Sequence, residues 1–129
     1  MSLELTMLFW STTLFAGYIG VQSVFYRLDK GVEFANGSRD NEPPSNVWTM
    51  RSEKALRNLL ETYPVFVALA LVIELGGHAD ALTAWGVHLY FWSRWVYLPL
   101  YVFGVKQIRS LVWLVSALGL TLMFAGVLF

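Results

Sequence analysis

The sequence predicts an all-α integral membrane protein, an antiparallel four-helix bundle that forms a single domain over residues 1–129. Hydrophobic residues make up 57% of the 129 residues and charged residues only 14%, whereas soluble domains hold roughly 45–50% and about 25%. Two uncharged runs are long enough to cross roughly 30 Å of hydrocarbon as helices. Most of the basic residues are confined to two of the three connections. The length suits one compact unit and no second domain.

Residues 5–26 and 110–129 are the two uncharged runs, 22 and 20 residues long, and we interpret them as the first and fourth spans. No Lys or Arg precedes the first run. Because a signal peptide normally begins with a positive region, this run is expected to be an uncleaved span.

The second and third spans are predicted at about 54–75 and 81–103, although charges interrupt both. Lys54, Arg57 and Glu61 lie on the first half of the second span, and Arg94 lies in the middle of the third. A charge at the centre of a lipid-facing helix costs at least ~2.5–3.5 kcal/mol on insertion scales. These charges are therefore expected to face a protein interior or a polar cavity.

The connections predict the orientation of the bundle. Residues 27–50 form a polar loop in which glycines and Pro43-Pro44 forbid a continuous helix. Every Lys and Arg except Arg94 lies in or beside the first and third connections. The positive-inside rule then places these two loops in the cytoplasm and both termini outside, and we expect the bacterial inner membrane.

Composition excludes several kinds of site and partner. Nine Lys and Arg balance nine Asp and Glu, so no basic field favours nucleic acid. The absence of cysteine excludes a disulfide framework, a Cys-type zinc site and a cysteine nucleophile. His78 and His88 are the only imidazoles, and their spacing is poor for a metal site, so no metal is expected.

Two polar stripes mark the candidate site. On the second helix Lys54, Asn58 and Glu61 stand at i, i+4 and i+7 with Arg57 one step around. On the third helix Arg94, Tyr97 and Tyr101 stand at i, i+3 and i+7, and Arg109 begins the last span.

Two interpretations of these stripes stay open. The first is structural, with Glu61 paired to Arg94 or Arg57 to make polar residues tolerable in the bundle. The second is a site for an anionic ligand, which the excess of cations favours because a structural pair needs only one charge of each sign.

The runs at residues 51–66 (RSEKALRNLLETYPVF) and 93–109 (SRWVYLPLYVFGVKQIR) resemble the MAPEG family, the membrane-associated proteins of eicosanoid and glutathione metabolism. The second run looks like the pattern of the small bacterial members. The resemblance implies a homotrimer of four-helix subunits that binds glutathione as co-substrate between neighbouring subunits, near the cytoplasmic face.

The resemblance also implies roles for the residues on the stripes. Lys54 would hold a glutathione carboxylate, Asn58 the peptide and Glu61 the γ-glutamyl ammonium. Arg94, Tyr97 and Tyr101 resemble the third-helix wall of the family's glutathione pocket. Arg57, one step around from the stripe of the second helix, is also expected to bind glutathione. Arg109 would be the catalytic residue, because a guanidinium next to sulfur favours the thiolate and lowers the pKa of the thiol.

Three functions follow as expectations. The first is a glutathione-dependent transferase or peroxidase acting on lipophilic electrophiles that partition from membrane lipid. The second is a noncatalytic trimeric membrane protein that binds an anionic lipid or metabolite. The third, a small proton-coupled drug exporter, needs a buried carboxylate in the first span, where the sequence offers only Glu4 at the end of the span.

Overall fold

The computed structural model describes residues 1–129 and contains only helices. The five helices are α1 Leu3–Lys30, α2 Val32–Asn36, α3 Val47–Gly76, α4 Ala81–Val102 and α5 Lys106–Leu128. No strand forms, so the prediction of an all-α chain is confirmed. Four helices are long and pack as a bundle, and α2 is a short additional helix in the first connection.

Side-chain caps and left-handed glycines set the helix ends. Ser2, Asn46 and Asp80 each accept a backbone N–H at the start of α1, α3 and α4, which satisfies donors that have no partner within the helix. Gly77, at φ +68°, ends α3, and Gly104, at φ +75°, lies in the reversal between α4 and α5. Glycine adopts this backbone region without steric cost.

The first connection holds more helix than the sequence predicts. The sequence predicts a polar loop over residues 27–50, but α1 continues to Lys30, α2 lies within the loop and α3 begins at Val47. The physical reason is that hydropathy marks the stretch suited to lipid, whereas caps mark where helices end. A helix with a good cap extends past its apolar part into the polar region.

Helices α4 and α5 approach each other closely at a pair of glycines. A Cβ built on Gly86 would lie 2.7 Å from the carbonyl oxygen of Gly119, and one on Gly119 would lie 2.7 Å from that of Gly86. Neither position has room for a larger side chain. In the rest of the core, the stacked rings of Phe66 and Tyr90, with centroids 4.5 Å apart, join α3 to α4.

By length and hydropathy, α3 and α5 are able to cross a membrane. Helices α1 and α4, which the sequence also predicts as spans, are not among the membrane-capable helices by these criteria of length and hydropathy. Both helices contain Trp, Tyr, Ser, Thr and Gly among their apolar residues, and these residues score low on hydropathy scales. Arg94 lowers the value of α4 further, although its side chain is fully buried inside the bundle.

Candidate functional site

A pocket of about 430 Å³ lies between α3, α4 and α5, near the end of the bundle where α4 ends and α5 begins. Its lining residues are Asn58, Tyr97, Tyr101, Arg109, Ser110, Trp113 and Leu114. Its volume is within the ~300–1,000 Å³ typical of small-molecule sites. The structure therefore brings four of the residues predicted from sequence into one cavity.

Two tyrosines and one arginine form the wall between α4 and α5. Tyr97 and Tyr101 are one turn apart on α4, with ring centroids separated by 5.6 Å. The chain reverses at Gly104, so that Arg109, in the first turn of α5, returns against α4. Its guanidinium carbon lies 4.3 Å from the centroid of the Tyr101 ring, within the range of a cation–π interaction.

The reversal itself is held by Arg51 of α3. Its Nη1 donates to the carbonyl oxygen of Val102 at 3.3 Å, where the last carbonyls of α4 concentrate partial negative charge. A Cβ on Gly104 would lie 2.8 Å from the Arg51 guanidinium. Arg51 thus packs closely against the turn that places Arg109 beside the pocket.

Arg94 lies behind the pocket and is fully buried. Its Nη1 donates to Asn58 Oδ1 at 2.6 Å, and its Nη2 donates to Thr62 Oγ1 at 2.9 Å. Its Nε is the one buried side-chain polar atom of the chain without a hydrogen-bond partner. Arg94 is therefore held entirely by neutral oxygens.

A polar network surrounds this guanidinium. The ring centroids of Tyr97 and Tyr90 lie 5.0 Å and 5.6 Å from its central carbon. The Tyr90 hydroxyl lies 2.9 Å from Thr62 Oγ1, and the Tyr18 hydroxyl donates to the Arg94 carbonyl oxygen at 2.6 Å. Helices α1, α3 and α4 therefore all contribute groups around the buried charge.

No carboxylate pairs with the cations of the site. The two salt bridges in the chain both belong to Lys30, with Asp29 and Glu42. The structural interpretation, in which Glu61 neutralises Arg94 or Arg57, is therefore not what the chain shows. Arg94 and Arg109 therefore form no salt bridge within the chain.

Lys54, Arg57 and Glu61 do not line the pocket. All three lie on the exposed face of α3, and none forms a salt bridge within the chain. The structure thus divides the predicted site residues into two groups. Four line the pocket with Arg94 behind them, and three lie on an exposed face of α3.

Three lining residues were not predicted from sequence: Ser110, Trp113 and Leu114. Ser110 is the neighbour of Arg109, and Trp113 follows Arg109 by four positions, on the same helix face. Helical spacing from Arg109 was a signal that could have identified Trp113. Thr62 was also not assigned to the site, although it follows Asn58 at the same spacing and shares Arg94 with it.

Glu4 is far from this pocket, at the opposite end of the bundle. It is 3% exposed, and its Oε1 accepts a hydrogen bond from Thr83 Oγ1 at 2.8 Å. The carboxylate therefore joins the start of α1 to the start of α4. This contact gives Glu4 a structural role. Glu4 lies apart from the cationic residues of the pocket.

The family model of the MAPEG family matches residues 7–129 of the chain. That stretch contains all four long helices except the first four residues of α1, and every residue of the pocket. No curated protein and no solved structure matches the chain.

Proposed function

The chain belongs to the MAPEG family, and we propose that this membrane protein is a glutathione-dependent transferase or peroxidase that acts on lipophilic electrophiles. The observation that carries the proposal is the pocket in which Asn58, Tyr97, Tyr101 and Arg109 meet. Its two nearby guanidinia have no carboxylate partner in the chain. An anionic ligand supplies the missing negative charge.

Glutathione has the charge pattern that these residues suit. It carries two carboxylates and one ammonium, so its site needs mainly cations and one anion. Lys54 and Arg57 are the cations on the exposed face of α3, and Glu61 is the anion there. We propose that Lys54 binds a carboxylate, Asn58 the peptide and Glu61 the ammonium.

The exposed position of Lys54, Arg57 and Glu61 supports a site shared between subunits. Three charged side chains on the surface of a membrane-capable helix are costly against lipid. A second copy of the chain that covers this face removes them from lipid and closes the open side of the pocket. The proposed enzyme is accordingly the homotrimer, with its pocket on the cytoplasmic side.

Arg109 is the residue we propose to act on sulfur. Its guanidinium stays protonated and cannot accept the thiol proton, so that proton passes to water when the thiolate forms. The positive charge stabilises the thiolate. The thiolate then attacks the electron-poor carbon of the electrophile, a carbon–sulfur bond forms, and the leaving group departs with the bonding electron pair.

A second cavity supports a lipophilic co-substrate. It has a volume of about 590 Å³, and its lining is Pro64, Val65, Ala68, Leu69, Leu120, Thr121 and Phe124. It lies between α3 and α5, two of the three helices that line the pocket, about six residues deeper along each, or roughly 9 Å along the helix axis. An apolar molecule that enters from the bilayer meets this surface beside the cationic pocket.

Glutathione binding to the purified protein in detergent, measured by calorimetry, tests the proposal. Glu61→Gln is expected to weaken binding at least about tenfold, because it removes the charge that meets the ammonium. Glu33→Gln, an exposed glutamate of α2 outside the site, is the matched control and should bind as wild type does. No binding at millimolar glutathione, with the protein still a folded oligomer, removes the transferase proposal.

An assay of glutathione conjugation distinguishes catalysis from binding without catalysis. With a chlorodinitrobenzene as electrophile, wild type should form the thioether, and Arg109→Ala should lower kcat by about a hundredfold while still binding glutathione. Saturable binding without conjugation in wild type would instead favour the noncatalytic trimer that binds an anionic lipid or metabolite.

A further inference from the structure

We infer that Arg94 is a positioning residue, which acts on the ligand through the carboxamide of Asn58 and does not touch the ligand itself. The inference rests on the proposed function, since it concerns how the same pocket recognises glutathione. It differs from the role that the family resemblance implies, in which Arg94 is part of the wall of the pocket. The lining residues include Asn58 and exclude Arg94.

The hydrogen bond between Arg94 and Asn58 fixes which way the amide faces. A guanidinium has only donors, so the Asn58 atom that lies 2.6 Å from Nη1 must be the carbonyl oxygen Oδ1. The amide nitrogen Nδ2 then lies on the other branch of the carboxamide. It makes no hydrogen bond within the chain, and Asn58 lines the pocket, so Nδ2 is the group left for the ligand.

The surroundings of Arg94 leave little freedom to this arrangement. Its side chain is fully buried, and Nη2 is held by Thr62 Oγ1 at 2.9 Å. Two bonds from one rigid guanidinium fix its plane, and that plane fixes the Asn58 amide. Asn58 is therefore presented to the pocket as a hydrogen-bond donor, and it recognises a carbonyl or carboxylate oxygen of the ligand.

The charge of Arg94 strengthens this donor. No Asp or Glu oxygen lies within salt-bridge distance of the guanidinium, since both salt bridges of the chain belong to Lys30. A cation that bonds to Oδ1 polarises the amide and makes its N–H groups better donors. A carboxylate in place of the Asn58 amide would form an ion pair with Arg94, and there would be no amide N–H to polarise.

Asn58→Asp tests whether the amide donor of Asn58 faces the ligand. Aspartate keeps an acceptor for Nη1 and so preserves the support of Arg94, but it replaces the donor that faces the pocket with an oxygen. We expect the KM for glutathione to rise about tenfold or more, with kcat within about twofold of wild type because Arg109 is unchanged. Asn36→Asp, an exposed residue of α2 given the same added charge, is the control and should leave both constants unchanged.

Arg94→Lys provides the second variant. A lysine keeps the charge but has no planar fork to hold Asn58 and Thr62 together, so the KM for glutathione should again rise while kcat changes little. If this variant fails to fold, Thr62→Val provides the same test, because it removes the acceptor that holds Nη2 at 2.9 Å and leaves Asn58 unchanged, so the KM for glutathione should again rise while kcat changes little.

The outcomes distinguish this inference from the proposed function. Loss of glutathione binding in wild type would overturn the proposed function itself. Glutathione binding that Asn58→Asp weakens but Arg94→Lys or Thr62→Val leaves within about twofold of wild type would overturn the inference alone. A fall in kcat with an unchanged KM in Asn58→Asp would also overturn it, because that result would assign Asn58 to the chemical step.

Discussion

The guanidinium carbon of Arg109 lies 4.3 Å from the centroid of the Tyr101 ring, across the reversal between α4 and α5. The ring face is the negative part of its quadrupole and attracts the cation. This contact holds the proposed catalytic residue at the wall of the pocket. It also makes the position of Arg109 depend on a residue of the preceding helix.

Removal of the Tyr101 ring is therefore expected to lower conjugation activity. Tyr101→Leu should lower kcat by roughly two- to fivefold, since an exposed cation–π contact contributes about 0.5–1 kcal/mol. Tyr101→Phe keeps the ring face and should retain kcat near that of wild type. Steady-state kinetics with glutathione and a chlorodinitrobenzene measures both variants, and equal losses of kcat would show that the hydroxyl matters instead of the ring.

The contact between Gly86 and Gly119 predicts a large loss of stability on substitution. Gly119→Ala places a Cβ 2.7 Å from the backbone oxygen of Gly86, and overpacking of this kind costs about 1–3 kcal/mol. Gly20→Ala is the control, because its Cβ would meet no atom within 4 Å. Thermal unfolding in detergent should show a lower Tm for Gly119→Ala only. Equal Tm values would contradict the close approach of α4 and α5.

Asp29 predicts a pH dependence of stability. Its carboxylate accepts the backbone N–H of Asn46 at 2.9 Å, and this bond lowers the pKa of Asp29 below its usual range. Because the folded-state pKa is the lower one, the stabilisation is fully present above the unfolded value of about 3.9. It is lost as pH falls through the folded value.

Asp29→Asn isolates this effect. The amide keeps an oxygen that accepts from Asn46 but has no charge to titrate. The difference in Tm between wild type and the variant should be constant at neutral pH and should shrink below about pH 4. A difference that stays constant into the acid range would show that the Asp29 charge does not stabilise the fold.

The contact between Glu4 and Thr83 predicts that the hydroxyl of Thr83 is needed for stability. Thr83→Val leaves the buried carboxylate without its donor at 2.8 Å, which should cost about 1–3 kcal/mol. Thr83→Ser keeps the hydroxyl and should lose less. Chemical or thermal unfolding of both variants measures the difference, and equal stabilities of Thr83→Val and wild type would contradict the role of the hydroxyl.

The sequence by itself determined that the chain is a helical membrane protein and which family it resembles. A low share of charge and apolar runs of membrane length do not depend on how helices pack, so they are visible in one dimension. The pairing of Tyr97 with Tyr101 is equally local, because residues three or four apart always share a helix face. The two family-like runs, residues 51–66 and 93–109, are each contiguous in the sequence, so they could be identified without knowledge of the packing.

Only the tertiary structure decided which polar residues meet. The stripe of Lys54, Asn58 and Glu61 looks continuous in sequence, but packing turns Asn58 toward the pocket and leaves the other two exposed. The sequence also did not show which group would accept hydrogen bonds from Arg94. A guanidinium is satisfied by whatever acceptor the neighbouring helix brings within reach, and here that is a neutral amide instead of Glu61. Contacts between helices depend on rotation and depth in the bundle, which the order of residues along one chain does not fix.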